Sequence, residues 1–227
     1  MIVLMIQLID KRLKGEAIAM KYEWRKEEKQ IYSLKRKPVL IKIPKFKYFC
    51  IKGKGNPNGE DFSNRIGVLY SLAYAVRMMP RNSFNPVGYF EYTVYPLEGT
   101  WDLTAKGRSS DKLDKEELIY TIMIRQPDFV DDEVVKKAFE LVSKKKPNPL
   151  LKEAYFDEIE DGDSVQMMHL GSYDKEKESF DIMKKFIDTN SLKIKTLVHR
   201  EIYLSDFRRT APEKLKTILR YKVEKKK

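Results

Sequence analysis

The order of apolar segments occurs twice along this chain, and that repeat constrains the fold more than any other feature. Val39 to Lys52 is rich in β-branched and aromatic residues and reads as a strand. Gly53, Gly55 and the run Asn56-Pro57-Asn58-Gly59 break it with a turn. Asp61 to Met79 then carries Phe62, Ile66, Leu69, Ala73 and Val76 at helical spacing, the apolar stripe of a helix that Pro80 ends. Strands are expected at Tyr89–Tyr95 and Leu118–Arg125, separated by a long loop. A helix over Asp131–Lys145 follows, acidic in its first turn and basic in its last, as the helix dipole favours. After a connector with a short helix near Leu150–Ala154, the pattern returns. A strand is expected at Val165–Leu170, a helix at Lys175–Thr189, and strands at Leu197–Leu204 and Leu219–Val223. Two strand–helix–strand–strand modules imply a pseudo-twofold. The expected class is α+β: a curved antiparallel sheet with helices on one face and a ligand cleft on the other. YFEYTV at 89–94 aligns with HREIYL at 199–204, which sets Glu91 in the place of Glu201.

Composition narrows the function classes. The chain has 227 residues, of which 42% are hydrophobic, enough for one large domain or two fused small modules. No stretch approaches the roughly 18 apolar residues of a membrane span. One cysteine, Cys50, excludes an internal disulfide framework and fits a reducing cytoplasm. With two histidines and that one cysteine, neither a closed metal site nor any other cofactor is expected. The net charge is +11 and the pI near 9.4, but the lysines are spread along the chain and no recognition-helix, zinc-finger or RNP pattern accompanies them. Specific nucleic-acid binding is therefore not expected. Residues 1–19 run from apolar to charged, the reverse of a signal peptide, and read as an N-terminal extension or an early start, with the functional chain spanning 20–227.

Candidate site residues concentrate in TLVHREIYLSDFRRTAPEKLKTILR at 196–220. Strand alternation sets Leu197, His199, Glu201 and Tyr203 on one face. A carboxylate on a half-buried strand is costly unless it is paired or has a chemical task. Glu201 is thus the leading functional residue, and Tyr203 shares its surroundings. Trp101 belongs to no core stripe; it either tucks onto the core or forms a flat pocket wall, and Glu98 lies in the same loop. Tyr70 and Tyr74, one helical turn apart, either pack under the sheet edge or line the cleft. His169 reads as a structural histidine that also borders the pocket. Arg208 and Arg209 have local acidic partners in Asp206 and Glu213, and Cys50 lacks the neighbours that mark a nucleophile.

Four strings, GKGNPNGEDFSNRIGVLYSLAYAV at 53–76, YPLEGTW at 95–101, MHLGSYDKE at 168–176 and REIYLSDFRRTAPEKLKTILR at 200–220, resemble the GyrI-like small-molecule-binding family. The likeness is to its free-standing branch, some members of which hydrolyse cyclopropanoid DNA-alkylating natural products. The resemblance implies a cavity for flat hydrophobic or aromatic molecules. Trp101, Tyr70, Tyr74, Glu98 and His169 would bind the ligand, and Glu201 with Tyr203 would supply catalysis. It implies a cofactor-independent hydrolase of a detoxifying kind, with a non-catalytic drug-sequestering protein as the alternative. A carboxylate at the Glu201 position sits in the cavity of that family.

Overall fold

The computed structural model describes residues 21–226, so the expectation for residues 1–19 lies outside the described part. Six strands are present: β1 (Val39–Lys54), β2 (Leu97–Leu103), β3 (Leu118–Gln126), β4 (Ala154–Leu170), β5 (Leu192–Tyr203) and β6 (Lys216–Lys225). Three longer helices accompany them: α1 (Glu60–Arg77), α2 (Asp132–Lys145) and α3 (Glu176–Thr189). The strands are hydrogen-bonded in the order β1-β3-β2-β5-β6-β4, and β4 returns to pair with β1. Every pairing is antiparallel. The two modules are β1-α1-β2-β3 and β4-α3-β5-β6, joined by α2. The sheet curves so far that it closes into a barrel, with the β1–β4 and β2–β5 ladders as the seams between modules.

The helices sit on one side of the sheet. Phe62, Leu69, Ala73 and Val76 of α1 are buried with Phe49, Ile51, Ile122 and Ile124. Val134, Ala138 and Val142 of α2 join the same core, and Asp131 caps that helix by accepting from the Val134 N–H at 2.9 Å. Met183 and Ile187 of α3 pack on Val165, Met167, Leu219 and Val223 in a second cluster. Each fully buried aliphatic or aromatic side chain contributes about 1.5–3 kcal/mol, so these two clusters fix where the helices lie.

Two segments depart from expectation. Tyr89–Tyr95 is not a strand; only an isolated bridge joins Tyr22 to Tyr92. Its rings instead pack with one another and with Phe129, at centroid distances of 5.4 Å for Tyr89 and Phe90 and 6.1 Å for Tyr92. The strand begins at Leu97, and Glu98 and Trp101, expected in a loop, lie within it. Glu91, exposed and beside Arg77 at 3.6 Å, therefore does not occupy the place that Glu201 has in the other module; Gly99 stands opposite Glu201. The chain before β1 also belongs to the core. Trp24 is 2% exposed, and Glu28 pairs with Arg125 and accepts from Tyr95 Oη at 2.8 Å.

Candidate functional site

The pleat of β5 divides its side chains between the two sides of the sheet. Arg200 points into the barrel. There its Nη1 donates to Glu98 at 3.0 Å and its Nη2 to Asp161 at 2.9 Å. Arg220 donates to the same Asp161 at 2.9 Å and to Gln166 at 2.8 Å. These residues are almost fully buried. Burial alone would raise the Asp161 carboxyl, but the guanidiniums of Arg200 and Arg220 outweigh it and hold that carboxyl well below the usual range. For Glu98 burial wins over Arg200, and its carboxyl is pushed up. Glu98 is thus an interior ion-pair partner, on the opposite side of the sheet from Glu201. A cavity of about 330 Å³ opens beside this network, lined by Thr100, Thr121, Met123, Tyr155 and Arg200 among others. It is the cleft on the side away from the helices, yet Glu201 does not line it. Its charged wall is held by ion pairs, Arg200 and Arg220 each meeting Asp161, and His199 also borders it.

On the other side of the sheet, under the helices, His199, Glu201 and Tyr203 share one face. Glu201 is 8% exposed. Tyr203 Oη donates to Glu201 Oε2 at 2.8 Å, and Trp101 Nε1 donates to Tyr203 Oη at 2.8 Å. His199 Nε2 meets Glu201 Oε1 at 2.9 Å, the geometry of the Nε2–H tautomer donating to the carboxylate. Each link orients the next, and the free lone pairs of Glu201 remain for a ligand or water. Burial first, then the neighbouring Glu201, raises the Tyr203 phenol well above its ordinary value, so it stays a donor.

Aromatic rings wall the group. Trp101 lies 5.1 Å from Tyr120 and 5.7 Å from Phe62 of α1. His199 lies 4.8 Å from Phe180 of α3, and Tyr173, in the turn before α3, meets Tyr203 edge-on at 6.0 Å. Gly99 has a specific reason to be glycine. A Cβ there would stand 2.8 Å from Trp101 Nε1 and 3.4 Å from Tyr203 Oη, so only a bare backbone admits the Trp101–Tyr203 hydrogen bond.

The remaining expected site residues divide. Tyr70 is half-buried, and burial followed by Tyr74, 6.3 Å away, raises its phenol. Tyr74 is 47% exposed. The pair lies on α1 toward the turn that holds Asp206 and Arg208. His169 has both ring nitrogens engaged: Nε2 donates to the Ser172 carbonyl at 3.1 Å, and Nδ1 accepts from Ser179 Oγ at 2.9 Å. It fixes the first turn of α3 to the end of β4. Arg208 pairs with Asp206 at 2.9 Å in the exposed turn. Cys50 is fully buried, and burial pushes its thiol up to about 12, which makes it inert.

Glu176, the first residue of α3, was not singled out by the sequence. It is 7% exposed, and burial, then Glu201, then Asp174 push its carboxyl up to about 10. The signal was present as the last residue of the MHLGSYDKE string, but its burial depends on how α3 docks.

The described residues bring together no three His, Cys, Asp or Glu side chains that could hold a metal ion. Nor do they contain a helix long and apolar enough to cross a membrane.

No curated protein matches the chain significantly. Among solved structures, a hydrolase from Listeria innocua is 37% identical, with a TM-score of 0.82 over 90% of this chain and 100% of its own. An uncharacterized conserved protein from the same organism is 38% identical, with a TM-score of 0.83 over the same shares. Residues 36–222 match the family model of the GyrI-like small molecule binding domain. With its repeated modules, its closed sheet and a buried carboxylate walled by aromatic rings, this chain belongs to the GyrI-like small-molecule-binding family.

Proposed function

We propose that the protein is a cofactor-independent hydrolase that opens a strained, electrophilic natural product of the cyclopropanoid class with water, a detoxifying reaction in the cytoplasm. The observation that carries this reading is the chain Trp101–Tyr203–Glu201–His199, in which donors on both oxygens hold a buried carboxylate in a fixed orientation. The hydrolase from Listeria innocua, alike over nearly the whole chain, supports it. The flat ligand stacks beside Trp101 between α1 and α3. Glu201 orients a water and takes its proton as general base. The water oxygen bonds to the ring carbon as the strained carbon–carbon bond breaks. That electron pair restores an aromatic ring, and the former carbonyl oxygen becomes a phenol. Strain relief and aromatisation drive the step, so the reading requires no metal or organic cofactor. Tyr203, which donates to Glu201, holds that carboxylate in place for the water.

Incubation with a cyclopropanoid alkylator, followed by mass analysis, tests the reading. Addition of one water at an enzyme-dependent rate is expected. Tight binding without product would instead establish a sequestering protein. Glu201→Gln should lower turnover by roughly 100- to 10,000-fold. Gln fits because its Oε1 accepts from Tyr203 while its amide donates to His199 in the other tautomer. Trp101→Ala should lose mainly affinity. Full activity in Glu201→Gln would remove Glu201 from the mechanism.

A further inference from the structure

Ring opening needs a proton at the oxygen that becomes a phenol. Around Glu201 the obvious hydrogens are already engaged, since Tyr203 O–H goes to Glu201 and Trp101 N–H to Tyr203. Glu176 is the exception. It is 7% exposed, and its Oε1 has no hydrogen-bond partner among the described residues. A buried, unpartnered carboxyl oxygen is costly and calls for an explanation. The groups that act on it are two further carboxyls, Glu201 from β5 and Asp174 from the preceding turn. Tyr203 and Tyr173 also sense its charge. His199 is engaged with Glu201, and His169 with Ser172 and Ser179. No cation among the described residues acts on it, so the proton stays on Glu176 through the neutral range. His169 grips residues on either side of it in sequence, Ser172 and Ser179, and so fixes the first turn of α3 that carries it.

Building on the hydrolase reading, we infer that Glu176 is a second catalytic residue: a neutral carboxylic acid, beside the carboxylate of Glu201, that protonates the oxygen of the opening ring. The step balances. Glu201 gains the proton that water loses, Glu176 gives its own to the ring oxygen, and the ligand gains one water. One proton passed from Glu201 to Glu176 then restores the starting state. Two carboxyls held at different protonation are the arrangement that lets one site run acid and base chemistry together.

Infrared difference spectroscopy on the full chain at pH 8, comparing wild type with Glu176→Gln, tests the protonation state. The wild-type-minus-variant difference should show the carbonyl band of one protonated carboxylic acid, the bands of all other carboxyls cancelling. Absence of that band from the difference overturns the inference whether or not the protein turns over. Kinetics with a cyclopropanoid alkylator test the role. Glu176→Gln should lower kcat by about 100-fold or more with little change in KM, and Glu176→Asp should recover part of the loss. Unchanged kcat in Glu176→Gln overturns the catalytic role while leaving the hydrolase reading intact. A wild type that shows the band but forms no product overturns both.

Discussion

The protonation of Glu176 has a consequence for stability that does not depend on any substrate. Its carboxyl is raised in the folded protein to about 10, against an ordinary value near 4.5. Between those values the folded state holds one proton that the unfolded state has released. Stability should therefore be highest below about pH 4.5 as far as this group is concerned. It should fall by about 1.4 kcal/mol per pH unit as the pH rises, and level off near pH 10. Glu176→Gln keeps the shape and stays neutral at every pH, so it lacks this slope. Urea unfolding of both proteins at pH 6 and pH 8 isolates the effect. The stability of Glu176→Gln relative to wild type should increase by about 2.7 kcal/mol between the two pH values. The shifted carboxyls of the barrel interior, Asp161 held low by its guanidiniums and Glu98 pushed up by burial, are the same in both proteins, so they cancel in the comparison. A difference between the proteins that does not change with pH would show that Glu176 is ionised in the folded state, and the reasoning from its burial would fail.

Gly99→Ala drives a Cβ against Trp101 and Tyr203, so it should cost about 1–3 kcal/mol in thermal or urea unfolding and weaken ligand binding; an unchanged protein would show that the aromatic wall adapts freely. Arg200→Met leaves Glu98 and Asp161 short of their main cation and should destabilise by about 3–5 kcal/mol, whereas adding Glu98→Gln should recover part of that in a double-mutant cycle. Cys50 in the native protein should resist a thiol reagent until urea unfolds the chain; fast labelling would contradict its burial. Binding to duplex DNA, driven by the +11 charge alone, should vanish near physiological salt in a gel shift; sequence-selective binding there would overturn the small-molecule reading.

Much of the architecture was legible because the repeat rests on periodicity. The apolar stripe of Phe62, Leu69, Ala73 and Val76 placed α1 to within two residues, and the alternation around Glu201 correctly set His199 and Tyr203 beside it. Strand β2 was not legible. LEGTWDL carries a glycine and two carboxylates and reads as a loop, because the burial of Glu98 is made possible by Arg200 on a neighbouring strand about a hundred residues away. The aromatic run before it carried the β-forming composition but formed a ring cluster instead. Strand β4 begins well before the expected Val165, because Asp157, Glu158 and Glu160 have the composition of a connector. In the structure they run beside β1, where Lys45 pairs with Glu158 at 2.9 Å. Glu176 was missed for a related reason: nothing in its local sequence says that α3 will dock its first turn against another carboxylate.

The two seams of the barrel bear on how such a chain can exist at all. β1 pairs β4 from Val39 with Gln166 to Ile51 with Ala154, and β2 pairs β5 around Gly99 and Glu201. Either module by itself would present two bare strand edges, the usual template for runaway self-association. The intact chain supplies each edge with a partner from its own other half. A half-length fragment should therefore be found paired or aggregated, never as a stable monomer. The same ladders join residues far apart in sequence, so productive folding must wait for the second half and should be slow for a protein of this size. The pairing of two like modules in one chain thus also shields its own sticky edges.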